Sequence, residues 1–159
     1  MRPDDPKHED PRPIGQNPSG HNPSGQNPLD DMPVIFSYTR VQAIEDGVLV
    51  DLTEWSKETG FTIPVACTSA VWNGYVVPPE SVKAWGQSER GRGHDLLWML
   101  YLAIRGHKAG PPSDGPDLLY YEVLFQQSPR KTIKVRFKAH CGPGDNGEPV
   151  ITIMMIDED

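Results

Sequence analysis

The chain has 159 residues, 17 of them proline, with 22 acidic against 15 basic side chains and a net charge of −7. That length holds one domain with an appendage and excludes two domains with separate cores. The acidic balance argues against direct nucleic-acid binding, which rests on Lys and Arg neutralising phosphates. Neither an apolar run of membrane-spanning length nor an apolar stretch in the opening MRPDDPKHEDP occurs, so a cytoplasmic protein without membrane association is expected.

Residues 1–33 hold eight of the prolines and only four apolar residues, Met1, Ile14, Leu29 and Met32. Such a segment cannot bury enough surface to offset the cost of ordering it, and disorder is predicted. Within it, Gly15-Gln16-Asn17-Pro18-Ser19, Gly20-His21-Asn22-Pro23-Ser24 and Gly25-Gln26-Asn27-Pro28 repeat with a period of five. The repeat is too short and polar for a solenoid and suits an extended spacer. Residues 34–159 are predicted to form a single ordered domain.

Ser37 is placed to cap a short helix over Tyr38–Asp46, ended by Gly47 in the left-handed conformation. Val48–Leu52 reads as a short strand or extended connector. Thr53 caps a second short helix over Glu54–Thr59, stopped by Gly60. Pro64 suits the first turn of a helix through Val65, Ala66, Val71 and Trp72. The glycine-rich polar stretch Gln87–Gly93 predicts a mobile loop. Asp95–Arg105 is apolar around most of its circumference, which predicts a helix buried on nearly all sides, with Trp72 and Trp98 in the core. Lys108–Asp117, with three prolines and two glycines, is a second loop.

The period then changes to two. Leu118–Phe125, Thr132–Cys141 and Val150–Ile156 are predicted strands rich in Val, Ile, Phe, Tyr and Thr. In the second, Ile133, Val135, Phe137 and Ala139 share the core face, and Lys134, Arg136, Lys138 and His140 share the solvent face. Asn146-Gly147 favours a two-residue hairpin turn, which sets Arg136 opposite Asp157 and Lys134 opposite Asp159. The expected fold class is α+β: short N-terminal helices and one buried helix packed on a three-stranded antiparallel meander. Cys67 and Cys141 lack Cys-x-x-Cys spacing and are expected as buried free thiols.

Certain local motifs carry a resemblance. They are Phe36-Ser37-Tyr38-Thr39-Arg40, Asp46-Gly47-Val48-Leu49-Val50-Asp51, Pro64-Val65-Ala66, Val71-Trp72, Asp95-Leu96-Leu97-Trp98-Met99 and Gly142-Pro143-Gly144-Asp145, followed by Gly147-Glu148-Pro149-Val150-Ile151-Thr152-Ile153-Met154. Over most of residues 35–159 the chain resembles a family of short, functionally unassigned bacterial proteins associated with plasmids, prophages and other mobile elements. It departs from the family at His94, where an aromatic residue is usual, and in the proline-rich tail. The resemblance implies a mobile-element setting and brings no activity with it.

Lys134, Arg136 and His140 on one strand face form a cationic ladder with an imidazole, the chemistry a small metal-independent ribonuclease would use. The other reading is that Asp157-Glu158-Asp159 neutralises this strand. The loop Gly142–Pro149 carries Asp145 and Glu148 without P-loop or calcium-loop spacing, and serves as a hairpin loop or a partner contact. His94, His107, His140, Cys67 and Cys141 lack zinc-site spacing, so neither metal nor cofactor is expected. Trp85, flanked by polar residues and Gly86, is the tryptophan expected at the surface, where it would be hot-spot material. Asp51, Glu54 and Glu58 make an acidic patch that can mimic phosphates to a basic partner. The sequence therefore reads first as a non-enzymatic protein-binding module of a mobile element. Its unidentified protein partner would be a nucleic-acid-handling host protein that it antagonises or modulates. The alternative reading is the small ribonuclease.

Overall fold

Thr39, and not Ser37, opens the first helix, α1 (Arg40–Glu45): its hydroxyl accepts from the Gln42 amide at 3.1 Å while the Gln42 side chain accepts from the Thr39 amide at 3.0 Å. This reciprocal capping box outcompetes a lone serine two residues earlier. The computed structural model describes residues 37–106 and 115–159; the expectations for residues 1–33, His107 and most of the Lys108–Asp117 loop fall outside them. Gly47, at φ 74°, turns the chain from α1 into β1 (Leu49–Asp51). The Asp51 carboxylate then accepts from the Thr53 amide at 2.9 Å and starts α2 (Thr53–Thr59), which Gly60 ends at φ 110°.

The expected helix after Pro64 is a strand. β2 (Val65–Thr68) runs in the sheet interior with Val65, Ala66 and Cys67 fully buried. Only then do a single turn α3 (Ser69–Val71), a π-helical turn over Trp72–Val76 and α4 (Glu80–Lys83) follow. The physical reason is that a strand buried on both faces shows no polar alternation and cannot be told from a short buried helix by periodicity.

α5 (Glu89–Gly106) begins where a loop was expected. The Ser88 hydroxyl accepts from the Gly91 amide at 3.1 Å. Gly93 lies inside the helix, and a side chain there would collide with Trp55 of α2, whose ring lies 2.5 Å from where a Cβ would stand. Its glycine is a packing device, not a sign of mobility.

β3 (Leu118–Ser128), β4 (Lys131–Pro143) and β5 (Pro149–Met155) are the predicted meander, yet the sheet has five strands in the order β1-β2-β5-β4-β3. β2 and β5 pair in parallel, and the other neighbours are antiparallel. One face, with Cys67, Tyr121, Val123, Phe125, Phe137 and Ile153, packs against Leu96, Leu97 and Leu100 of α5 in the main core. On the opposite face Ala43, Ala66 and Val150 are buried. The alternation expected along β4 holds, with Val135, Phe137 and Ala139 buried and Lys134 and Arg136 exposed.

The β4–β5 hairpin is shifted by one residue from the expected register. Gly147, at φ 80°, donates to the Gly144 carbonyl at 3.0 Å, and a three-residue loop replaces the two-residue turn. Pairing is therefore centred on Asn146, with His140 opposite Thr152 and Phe137 opposite Met155. Arg136 and Lys134 do not face Asp157 and Asp159; their strand neighbours are Glu122 and Leu124 of β3.

Two further expectations change. Cys141 is exposed, while Cys67 is buried. Trp98 is 43% exposed, because the circumference of α5 is apolar on two sides and only one of them meets the core. Trp72 packs against that core while half-buried.

Candidate functional site: the outer face of helix α5

The acidic residues singled out in the sequence are each engaged at home. Asp145 accepts from the backbone amides of Arg40 at 2.6 Å and Val41 at 3.0 Å, so the hairpin loop supplies a carboxylate to the first turn of α1. Glu148 folds over Gly144 and accepts from the Asn146 amide at 2.9 Å. Asp51 holds Thr53, Glu54 pairs with Lys57 at 2.7 Å, and Glu58 receives Arg90 on both oxygens at 2.6 and 2.7 Å.

Between α1 and the β4–β5 hairpin lies a polar cleft of about 430 Å³ that brings together Tyr38, Arg40, His140, Asp145 and Thr152. The Arg40 guanidinium crosses it to Thr152 Oγ1 at 2.8 Å and the Ile151 carbonyl at 3.0 Å. Burial lowers the Arg40 pKa, opposed by Asp51, Asp145 and Glu148. Two sequence motifs far apart in the chain, Ser37–Arg40 and Gly142–Asp145, thus meet as a structural clasp.

The basic strand is also committed. Lys134 lies 3.3 Å from Glu122 of β3. The Arg136 guanidinium sits 5.1 Å from the Tyr120 ring centroid, and Lys138 donates to the Glu158 carbonyl. The His140 ring packs over Gly142, where a Cβ would stand 2.7 Å from Cε1. Neighbouring β3 therefore supplies one carboxylate and one aromatic ring to this strand, and the C-terminal segment meets it through the main-chain carbonyl of Glu158. Among the described residues no cluster of three or more His, Cys, Asp or Glu is placed to hold a metal ion.

Of the binding candidates, Trp85 remains exposed, at 63%. It stands on the turn after α4, beside Gly86 at φ 80°.

A larger feature escaped the sequence reading. On the side of α5 facing away from the core, Trp98, Met99 and Leu102 are exposed. Trp98 is held in a column of planar groups. His94 stacks on Trp98 with 9° between planes, and Trp98 stacks on Tyr101 with 20°. Arg105 lies over Tyr101 at 5.6 Å and donates to its hydroxyl at 3.2 Å. Phe61 meets the same ring edge-on, and Gly60 of the α2 terminus lets Tyr101 approach closely. The Trp98 ring is thus fixed before any partner arrives, which lowers the entropic cost of docking on it. A signal was available in the spacing: Trp98 and Leu102, four residues apart, lie with Asp95 and Arg105 on the side of α5 opposite Leu96, Leu97 and Leu100. An amphipathic surface helix needs one apolar side; α5 has two.

No helix among the described residues is long and apolar enough to cross a membrane. No curated protein and no solved structure matches the chain. A family described as a family of unknown function (DUF6573) matches residues 26–159, which takes in the whole described structure and leaves the first two Asn-Pro repeats outside. By that match the chain is a member of the DUF6573 family of unknown function.

Proposed function

We propose that the chain is a non-enzymatic protein-docking module and that the outer face of α5 is its contact surface. The observation that carries this reading is the exposure of Trp98, Met99 and Leu102, at 43%, 38% and 44%, on a helix whose opposite side already fills the core. Tryptophan and arginine, both present on this face, are among the residue types that dominate binding energy at interfaces. The acidic patch of Asp51, Glu54 and Glu58 and the loop carboxylates Asp145 and Glu148 are supporting structure in this reading. Trp85 is a secondary contact. The setting we propose is a mobile genetic element, as the sequence resemblance implies, with a nucleic-acid-handling host protein among the targets to be modulated. The ribonuclease alternative loses weight because Lys134, Arg136 and Lys138 have partners within the domain.

The test is site-specific photo-crosslinking in the producing cell, with p-benzoylphenylalanine placed at position 102 and, as control, at position 54. A discrete protein adduct from position 102 and none from position 54 is the expected result. Absence of any adduct from position 102 would overturn the proposal.

A further inference from the structure

Resting on that reading of α5, we infer that the occupant of its outer face is a second copy of this chain, docked antiparallel about a two-fold axis through the α5 seam. The seam contains the apolar pair Trp98 and Leu102, flanked by Met99, with Asp95 toward its N-terminal end and Arg105 toward its C-terminal end. A two-fold axis passing level with position 100 places Asp95 opposite the partner's Arg105 and Trp98 opposite the partner's Leu102. The symmetry makes each contact occur twice, so the surface is complementary to itself. A parallel arrangement would instead oppose Asp95 to Asp95 and Arg105 to Arg105, which costs binding energy.

Asp95 and Arg105 make no ion pair among the described residues, although Asp95 lies in the field of His94 and Arg92. Arg105 is nevertheless held in place by the ring and hydroxyl of Tyr101. An oriented cation and a carboxylate, ten residues apart on one helix face with apolar side chains between them, fit the reverse copy of the same helix. A seam with two apolar residues from each copy offers little area to bury, so association is expected to depend on concentration.

The test uses the full chain in sedimentation equilibrium over a range of concentrations. Wild-type protein should rise from 17.7 kDa to twice that mass. Asp95→Arg and Arg105→Glu, each checked by circular dichroism for native helix content, should each remain at the single mass, because every end pair is then of like charge. An equimolar mixture of the two variants should recover the double mass, since both end pairs are opposite in sign again. That recovery distinguishes this register from a merely sticky apolar face. A wild-type chain that stays at the single mass, a double mass indifferent to either substitution, or a mixture that fails to recover would each overturn the inference. If wild type stays single while position 102 still crosslinks to another protein, the second-copy inference falls and the docking reading stands; if position 102 yields nothing as well, both fall.

Discussion

Replacing Arg92 by methionine should destabilise the domain by about 3 kcal/mol. Arg92 is 1% exposed and makes no ion pair among the described residues, although the Asp95 carboxylate acts on it from a distance. Its guanidinium instead donates to the Tyr75 carbonyl at 2.8 Å, to the Gln87 side chain at 3.2 Å and to the Gln126 carbonyl, and it lies 5.4 Å from the centroid of Phe125. One side chain therefore ties the π-helical turn, the entry to α5 and the end of β3 together. Methionine fills much of the volume and removes a buried charge, which is favourable. It also leaves two carbonyls without their donor, at about 1–3 kcal/mol each, and the second effect is the larger. For a domain of this size 1 kcal/mol corresponds to about 4 °C, so Tm should fall by roughly 12 °C. Arg92→Lys should recover little, because a compact ammonium cannot reach acceptors that diverge around a planar fork. Thermal unfolding followed by near-ultraviolet circular dichroism is the assay. A methionine variant within about 2 °C of wild type would show that these carbonyls find other partners and that the arginine is not the tie described.

Asp145→Ala removes both acceptors from the first turn of α1 and should cost about 1–2 kcal/mol, read as a Tm drop of roughly 4–8 °C; an unchanged Tm would mean that the clasp contributes nothing. Gly93→Ala improves helix propensity by about 1 kcal/mol but drives a methyl group into Trp55, and overpacking of about 1–3 kcal/mol should prevail; a stabilised variant in chemical denaturation would contradict the packing account. Burial pushes the Cys67 thiol up to about 12 from an ordinary 9.0, so a thiol reagent should modify only Cys141 in native protein and both cysteines after denaturation. The same shift has a defined sign: between pH 9 and 12 the unfolded chain loses the Cys67 proton while the folded chain keeps it, so stability should fall as pH rises through that window. Cys67→Ala should lose less stability over the window than wild type, and equal slopes in alkaline denaturation would refute the assignment.

Much of the fold was legible in the residues alone, where the signal is local. The two-residue alternation of Ile133 to His140 assigned both faces of β4 correctly, because a half-exposed strand writes its environment into every second position. Gly47 and Gly60 marked the ends of the first two helices, since both occupy left-handed backbone. Trp85 was placed at the surface from its polar neighbours, and it is there. What escaped was decided by contacts between distant segments. Val65–Thr68 became an interior strand because β1 and β5 lie on either side of it, and a strand covered on both faces carries no alternation to read. Gly93 looked like loop chemistry until the Trp55 ring gave it a packing reason. The partners of Glu58 and Asp145 were not legible in the residues, because Arg90 and the amides of α1 reach them from distant segments, while both carboxylates stay at the exposed surface. The candidate site itself belongs to this second class. The apolar circumference of α5 was plain in the sequence, but which side met the core and which remained for a partner depended on the fold: the sheet covers Leu96, Leu97 and Leu100, and the opposite side, with Trp98 and Leu102, remains exposed.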